Sequence, residues 1–205
     1  MQEASLNAVK ETYNHLAKIY NFIYGKTLQN GRDTLGKSLT FESNKKILEI
    51  GVGTGLTLNL YPINSEITGV DVCNEMLIRA KQRIQTLGLK NIKLITSDGE
   101  HTGLQNDYFD HVVLAYVYSV TPKPEAIIQE AFRVCKPNGH IWILNHFSGM
   151  GGWNFLEALI EPCSRFLGFR SIFPFGEFVT SKNWNIVSIK RVNVFGLSRL
   201  IKIKK

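Results

Sequence analysis

A glycine loop that directly follows a short apolar strand is the feature that most constrains the fold of this chain. Lys46–Ile50 is largely aliphatic and runs into Gly51-Val52-Gly53-Thr54-Gly55. Closely spaced glycines let the backbone turn sharply and approach a ligand, with the start of the next helix aimed at it. Asp71 stands twenty residues past Gly51, at the end of the next predicted strand. Its carboxylate can there accept hydrogen bonds from both hydroxyls of a ribose, so the pattern predicts a nucleoside-binding crevice.

Short β-branched runs alternate with longer helical periods, which is typical of βαβ units. We therefore expect an α/β fold, a Rossmann-like, doubly wound, mostly parallel sheet with a C-terminal antiparallel hairpin. The expected strands are Lys46–Ile50, Ile67–Val72, Ile92–Thr96, His111–Val117, His140–Leu144, Ile186–Val194 and Leu197–Ile203, the last two turning at Phe195-Gly196. The expected helices are Leu28–Leu39, Leu56–Tyr61, one capped by Asn74 and ended by Gly88, Pro124–Val134 and Trp153–Leu167, with a turn at Lys136–Gly139.

The 205 residues fit one compact domain. Residues 1–40 are expected to form a helical N-terminal lid over the cofactor, or simply a packed helix, and residues 41–205 the Rossmann-like domain. The N-terminal helix is predicted from an apolar stripe of Leu6, Val9, Tyr13, Leu16, Ala17 and Tyr20. The longest apolar run, Val112–Val120, has nine residues, whereas a membrane-spanning helix needs about 20. Any membrane role is therefore expected to be peripheral.

Acidic residues around the predicted crevice indicate its ligand. Glu49 precedes the glycines and would repel a pyrophosphate, and the Lys-Ser or Lys-Thr of a P-loop is missing. The third glycine comes one residue earlier than in a dinucleotide fingerprint. Acids at 49, 71 and 98 favour S-adenosylmethionine, whose sulfonium and amine are positive, although Asp98 and Glu100 could be surface loop acids. The predicted cofactor-binding residues are Glu49, Gly51, Gly53, Gly55, Asp71, Val72, Met76, Asp98, Gly99 and Glu100.

These residues are similar to those of a known family. Glu49–Gly55, Asp71, Asp98 and Phe109–Val113 resemble the class I S-adenosylmethionine-dependent methyltransferases, whose sheet also ends in a reversed strand. A finer resemblance is to the soluble bacterial phosphatidylethanolamine N-methyltransferases. It rests on Tyr13–Tyr24, Gly51–Pro62, Tyr116-Val117 with Val120 and Pro122, Arg133-Val134 with Pro137 and Gly139, and Asn145-His146-Phe147. Where that family tends to have Tyr-Asp, this chain has Tyr20-Asn21.

The finer resemblance implies methylation of the ethanolamine headgroup of phosphatidylethanolamine towards phosphatidylcholine. The attacking nitrogen must first lose a proton, because an ammonium has no lone pair, so a general base would help. The candidate catalytic residues are His146, Tyr20, Tyr116 and Asn145. His146 could instead be a strand-end histidine bonded to backbone, and Asn145 could anchor a phosphate or the amine. A small-molecule or quinone methyltransferase on the same fold is the main alternative.

Basic charge is concentrated near the C-terminus. The net charge is +7, and residues 163–205 contain nine basic residues and one acid. This asymmetry indicates either an anionic partner or a solvated edge hairpin guarded by lysine. We expect peripheral contact with the anionic inner face of a membrane through Lys202, Lys204 and Lys205, with a phospholipid as substrate. Nucleic-acid binding is a lesser alternative, because the basic residues alternate with aliphatic side chains in strands; the sequence indicates no oligomeric state.

Cysteine and histidine usage adds two expectations. Cys73, Cys135 and Cys163 make an odd count without a C-x-x-C pair, which is typical of a reduced, cytoplasmic protein. The five histidines show no metal-binding spacing, so we expect no metal.

Overall fold

Within the described residues, the strands form one seven-stranded sheet. The computed structural model describes residues 28–40, 42–147, 175–180, 184–193 and 196–205. The strands are β1 (Lys46–Ile50), β2 (Glu66–Asp71), β3 (Ile92–Thr96), β4 (Phe109–Ala115), β5 (Cys135–His146), β6 (Asn185–Val192) and β7 (Ser198–Lys204). They lie in the order β3-β2-β1-β4-β5-β7-β6. β7 pairs antiparallel with β5 and β6, and all other pairs are parallel. The predicted doubly wound sheet with its C-terminal hairpin is confirmed.

Apolar residues cover both faces of the sheet. The helices are α1 (Gln29–Leu39), α2 (Asn74–Thr86), α3 (Pro124–Val134) and α4 (Phe175–Thr180), with a 3-10 turn at Leu58–Leu60. Central parallel strands are buried on two sides and therefore read as continuous aliphatic runs. In β1, Leu48 and Ile50 join the apolar cluster beneath α3, whereas Ile47 joins the cluster beneath α1 and α2. The carboxyl ends of the strands are thus held at one edge, where the site lies.

The helix predictions succeed where the apolar period is long. α1 and α3 match the predicted helices, and α3 carries Pro124 in its first turn, where a missing amide hydrogen costs nothing. Gly88 follows α2 with a left-handed φ of 64°, as expected of a glycine that ends a helix. The predicted cap is wrong: Asn74 is the first helical residue, and Cys73 holds the cap position.

The predicted helix over 56–61 is also wrong. Only Leu58–Leu60 form a 3-10 turn, and Tyr61 is already extended, with φ −77° and ψ 153°. The physical reason is Pro62, since the residue before a proline is excluded from the helical region by a steric clash. The segment is too short to recover a regular helix between the left-handed Gly55 and this proline.

Two strands, β4 and β5, differ most from the prediction. β5 begins at Cys135, five residues before the predicted start, and continues to His146. Phe109 pairs with Cys135 but His111 pairs with His140, so the predicted turn at Lys136–Gly139 is a bulge inside the strand. β4 ends at Ala115 rather than at Val117, because Tyr116 adopts a left-handed φ of 59°.

Other predicted features fall outside the described residues. These are the N-terminal helix with Tyr20, the helix over 153–167 and Phe195 of the hairpin turn. Among the residues that the structure does describe, no helix is both long enough and apolar enough to cross a membrane.

A substitution in the core tests this packing directly. Ile143 of β5 is fully buried in the cluster beneath α3. We expect Ile143→Ala to lower the free energy of unfolding by about 2–5 kcal/mol, because it leaves a cavity that the sheet cannot close. Urea denaturation measures the change. Ile63→Ala is the control, since Ile63 is 80 % exposed and its loss should cost under about 0.5 kcal/mol; equal effects would contradict the described core.

Candidate functional site

A cleft opens at the carboxyl ends of β1, β2 and β4. β1 lies between β2 and β4, so the chain reverses its direction across the sheet at this point, and such switch points form crevices in doubly wound sheets. The cleft has a volume of about 790 Å³, including the part open to solvent. It is lined by Ile50, Gly51, Gly53, Asp71, Val72, Cys73, Met76, Asp98, Gly99, Glu100, Ala115, Tyr116, Val117, Val120, Thr121, Pro122 and Ile127. A crevice at this point of a doubly wound sheet is where nucleoside-containing ligands bind.

The glycine loop forms the floor of the cleft. Gly51 has φ 76°, and a Cβ there would lie 2.5 Å from Cγ2 of Val117, so no larger residue fits. Gly53 also has a left-handed φ, of 55°, but a Cβ there would meet nothing within 4 Å. Gly53 therefore leaves open space above the backbone, as a ligand that approaches the loop requires. Gly55, in contrast, packs under Leu58 and does not line the cleft.

Asp71 connects the loop after β1 with the loop after β2. Its Oδ2 accepts a hydrogen bond from the Gly53 amide at 2.8 Å, and its Oδ1 accepts one from the Cys73 amide at 2.9 Å. Burial raises the pKa of Asp71, and these backbone hydrogen bonds oppose the rise by stabilising the carboxylate. The Val72 amide also donates to this carboxylate. Of its roughly four lone-pair sites, three are then used, so the carboxylate can still accept a hydrogen bond from a ribose hydroxyl.

The strand end after β3 forms one side of the cleft. Asp98 Oδ1 accepts a hydrogen bond from the Glu100 amide at 2.8 Å. Glu100 Oε1 accepts from Thr121 Oγ1 at 2.6 Å and from the Lys123 amide at 2.8 Å, which ties this side to the loop after β4. Gly99 is required here, because a Cβ would lie 2.6 Å from Cγ2 of Ile50. Both acids are therefore parts of a defined wall.

Glu49 lies behind the glycine loop. Its side chain is 2 % exposed and points to the α1 face, where it accepts hydrogen bonds from Thr57 Oγ1 at 2.6 Å and Tyr61 Oη at 2.8 Å. Burial raises the pKa of Glu49 to about 7, although those two hydroxyls oppose the rise. Glu49 is not among the described residues that line the cleft, so the structure separates it from the other predicted acids.

Tyr116 has a strained backbone conformation at the edge of the cleft. It is 6 % exposed, and its left-handed φ of 59° is a conformation that costs a non-glycine residue about 1–3 kcal/mol. Its ring stacks on His146 with 5.4 Å between the ring centroids. Burial lowers the pKa of His146 to about 4, so this imidazole is neutral at physiological pH. The structure thus brings together two of the four predicted catalytic residues.

The other two predicted catalytic residues, Asn145 and Tyr20, are not among the described residues that line the cleft. Asn145 is fully buried, donates to the His146 carbonyl at 2.7 Å and accepts from Ser119 Oγ at 3.2 Å. These bonds make Asn145 a part of the scaffold beneath His146. Tyr20 lies outside the described residues.

Sequence reasoning did not predict eight of the residues that line the cleft, namely Ile50, Cys73, Ala115, Val117, Val120, Thr121, Pro122 and Ile127. Thr121 contacts Glu100 across 21 residues of sequence, so no local pattern could have indicated it. Ile127 lies on the buried face of α3, and periodicity alone does not separate a core position from a position that borders a cleft.

A separate cluster at the amino edge of the sheet contains possible metal donors. Ligand atoms of Glu42, His111 and His140 lie within 4.8 Å of one another. However, the Trp142 indole donates to His111 Nδ1 at 3.3 Å, and the Lys202 ammonium lies 3.6 Å from Glu42. A ligating histidine needs an acceptor, not a donor, at its second nitrogen. These neighbours oppose a cation at this cluster.

Comparison with known proteins identifies the kind of cleft this is. Residues 48–143 match the methyltransferase domain family. The chain is 32 % identical over 204 residues to the phosphatidylethanolamine N-methyltransferase of Cereibacter sphaeroides, with 98 % of each chain covered. The chain belongs to the class I S-adenosylmethionine-dependent methyltransferases. The family predicted from the sequence is therefore confirmed.

Two further comparisons match this chain at lower sequence identity. The ubiquinone/menaquinone biosynthesis C-methyltransferase of Vibrio parahaemolyticus is 26 % identical over 175 residues, which cover 80 % of this chain and 63 % of that relative. The crystal structure of an S-adenosylmethionine-dependent methyltransferase from Aquifex aeolicus superposes with a TM-score of 0.65 at 16 % identity, covering 92 % of this chain and 96 % of the other. At this identity the superposition shows the shared fold.

S-adenosylmethionine is the cofactor of this methyltransferase, and the cleft fits it. Asp71 offers a carboxylate to the ribose, and Gly53 leaves the loop backbone open beside it. Met76, Val72 and Asp98 also line the cleft. The first two would supply apolar surface for an adenine ring, and Asp98 would accept a hydrogen bond from its amino group. Three carboxylates line the cleft, which favours a cationic ligand.

The cofactor site yields a prediction for Asp71. We expect Asp71→Asn to weaken adenosylhomocysteine binding at least about tenfold, or 1.4 kcal/mol, because an amide cannot accept from two backbone amides and the ribose together. Isothermal titration calorimetry measures the affinity. Asp33→Asn in α1, outside the cleft, is the matched control and should bind as the parent does. Unchanged affinity in Asp71→Asn would show that the ribose is held elsewhere.

Proposed function

We propose that this methyltransferase transfers methyl groups to the ethanolamine nitrogen of phosphatidylethanolamine. The proposal rests on the sequence identity to one relative and on the share of both chains that the match covers. The phosphatidylethanolamine N-methyltransferase relative matches end to end at 32 % identity. The quinone methyltransferase relative matches at 26 % and is covered over only 63 % of its length. Identity that extends beyond the cofactor half of the chain supports a shared acceptor.

The chemistry of an amine acceptor is compatible with a histidine next to the cleft. His146 is not among the described residues that line the cleft, but it stacks on Tyr116, which is. The cofactor supplies a methyl group on a sulfonium, and the attacking nitrogen must approach it in line and without its extra proton. His146 is neutral because its pKa is lowered to about 4, so its imidazole can accept a hydrogen bond from the amine. With so low a pKa it holds a proton only weakly and would pass it on to water. We assign it the role of orienting the amine and relaying its proton.

Tyr116 is a weaker candidate for the base. Its hydroxyl donates to the Leu28 carbonyl at 3.3 Å and accepts from Asn193 Nδ2 at 2.9 Å. Burial raises the pKa of Tyr116, which disfavours the phenolate that a base would need. We therefore propose that Tyr116 shapes the cleft and that His146 contacts the amine.

Contact with an anionic membrane is part of the proposal, with a revised surface. Lys202, Lys204 and Lys205 lie towards the amino edge of the sheet, since Lys204 pairs with His140 at the start of the regular part of β5. Lys205 Nζ is bonded to Asp107 at 2.6 Å. Lys190 and Arg191 are exposed and lie nearer the edge that carries the cleft, because Val192 and Ser198 align with His146. We propose that these two residues contact the lipid and that the protein works at the cytoplasmic membrane face.

A quinone or other small-molecule acceptor is the second candidate. It is favoured by the similarity to the quinone C-methyltransferases. Such an acceptor is methylated at carbon and does not need an anionic surface, which makes the two candidates separable in one assay.

The experiment uses the full chain with methyl-labelled S-adenosylmethionine and vesicles of phosphatidylethanolamine with phosphatidylglycerol. We expect label in the lipid phase as methylated phosphatidylethanolamine. Vesicles of phosphatidylcholine with phosphatidylglycerol are the control, because a trimethylated nitrogen cannot accept. Absence of lipid label from protein that binds adenosylhomocysteine, together with turnover of demethylmenaquinone, would replace this proposal with the second candidate.

The same vesicles test the docking surface by sedimentation. Each surface charge contributes about 1 kcal/mol at most, so Lys190→Gln with Arg191→Gln should weaken binding by up to roughly thirty-fold. Lys45→Gln with Lys204→Gln removes the same charge at the opposite edge and should weaken it less. A larger loss in the second pair would place the membrane at the amino edge.

A further inference from the structure

Asn193 stands at the meeting point of three separate segments. It follows β6 and has a left-handed φ of 64°, a conformation that asparagine tolerates better than most residues. Its Oδ1 accepts a hydrogen bond from the Gly31 amide of α1 at 2.7 Å. Its own amide donates to Asn30 Oδ1 at 3.0 Å. The residue therefore fastens the start of α1 to the end of the hairpin.

The side-chain nitrogen of Asn193 makes the contact that concerns the cleft. Nδ2 donates to the Tyr116 hydroxyl at 2.9 Å and to Ser198 Oγ at 2.8 Å, so both of its hydrogens are used. The Gly31 amide requires an oxygen on the other side, which sets the orientation of the amide group. Asn193 thus presents a fixed donor to Tyr116 across 77 residues of sequence.

The Tyr116 hydroxyl is closely packed. A Cβ on Gly31 would lie 2.5 Å from Tyr116 Oη, so α1 approaches the hydroxyl as closely as glycine permits. The hydroxyl proton goes to the Leu28 carbonyl at 3.3 Å. At the other end of the residue, the Tyr116 amide donates to the Leu144 carbonyl at 2.7 Å. A strained residue persists only where its surroundings hold it at several points, as they do here.

We infer that Asn193 is a positioning residue that holds Tyr116 against the cofactor cleft through the tyrosine hydroxyl. Asn193 is not among the described residues that line the cleft, whereas Tyr116 is. Of the bonded partners named above, Tyr116 alone is among the lining residues, so we expect the effect of Asn193 on the cofactor to pass through Tyr116. The inference concerns the cofactor side of the site and does not depend on which acceptor the enzyme methylates.

The test is a double-mutant cycle read by adenosylhomocysteine affinity. Asn193→Gly removes the side chain without straining a left-handed backbone, and Tyr116→Phe removes only the hydroxyl. We expect each single variant to weaken binding by roughly three- to tenfold, the range for one lost hydrogen bond. In the Tyr116→Phe background, Asn193→Gly should change the affinity by less than about twofold, because the contact it acts through is already gone.

Asn138→Gly is the matched control. Asn138 has almost the same φ, 65°, but lies in the β5 bulge at the amino edge and is exposed. It should bind adenosylhomocysteine as the parent does. Loss of affinity in Asn193→Gly that is equally large in the Tyr116→Phe background would overturn the inference and assign the effect to α1. Parental affinity in either single variant would overturn it too; if Asn193→Gly does not fold, Tyr116→Phe alone decides whether the hydroxyl contact matters.

Discussion

The carboxylate of Asp71 joins the two loops that shape the cleft. It accepts one hydrogen bond from Gly53 after β1 and one from Cys73 after β2. Both loops leave the sheet at its carboxyl edge, where the Gly51 and Val52 amides also donate to the Val70 carbonyl. The same carboxylate faces the cavity in which the ribose is expected. One side chain thus fixes the shape of the glycine loop and presents the acceptor for which that shape is needed.

Burial divides the charged groups of the site into those that face the ligand and those that support it. Asp71, Asp98 and Glu100 line the cleft, whereas Glu49 is enclosed with Thr57 and Tyr61 and has a pKa raised to about 7. The negative field at the cleft therefore comes mainly from its walls. His146 is kept neutral by the same physical cause, desolvation, which acts in opposite directions on an acid and on a base.

The cofactor half of the molecule could be predicted because its signals are local. The strand, the glycine loop and Asp71 follow one another within 26 residues, and each has a conformation that few other sequences support. The bulge in β5 was predicted as a turn, because Pro137-Asn138-Gly139 is turn chemistry wherever it occurs. Only pairing with β4 shows that the strand continues through it.

The part of the cleft formed by Tyr116 could not be predicted in the same way, because its contacts are distant in sequence. The Tyr116 hydroxyl donates to the Leu28 carbonyl and accepts from Asn193, and the neighbours of Tyr116 in sequence indicate neither bond. The basic C-terminal segment is another example. It is one cluster in the sequence, but the hairpin reverses the chain and places Lys190 and Lys204 towards opposite edges of the sheet. The charge of a segment therefore indicates an anionic partner, but it does not show which surface of the fold would bind that partner.

The central claim is that this cleft holds one adenosyl nucleoside with a cationic side chain rather than a dinucleotide. Calorimetric titration of the full chain with S-adenosylmethionine and, separately, with NAD tests it most directly. The account predicts one S-adenosylmethionine bound per chain and no heat from NAD beyond dilution. Binding of NAD with S-adenosylmethionine as a weaker competitor, or no binding of S-adenosylmethionine to folded protein, would contradict it.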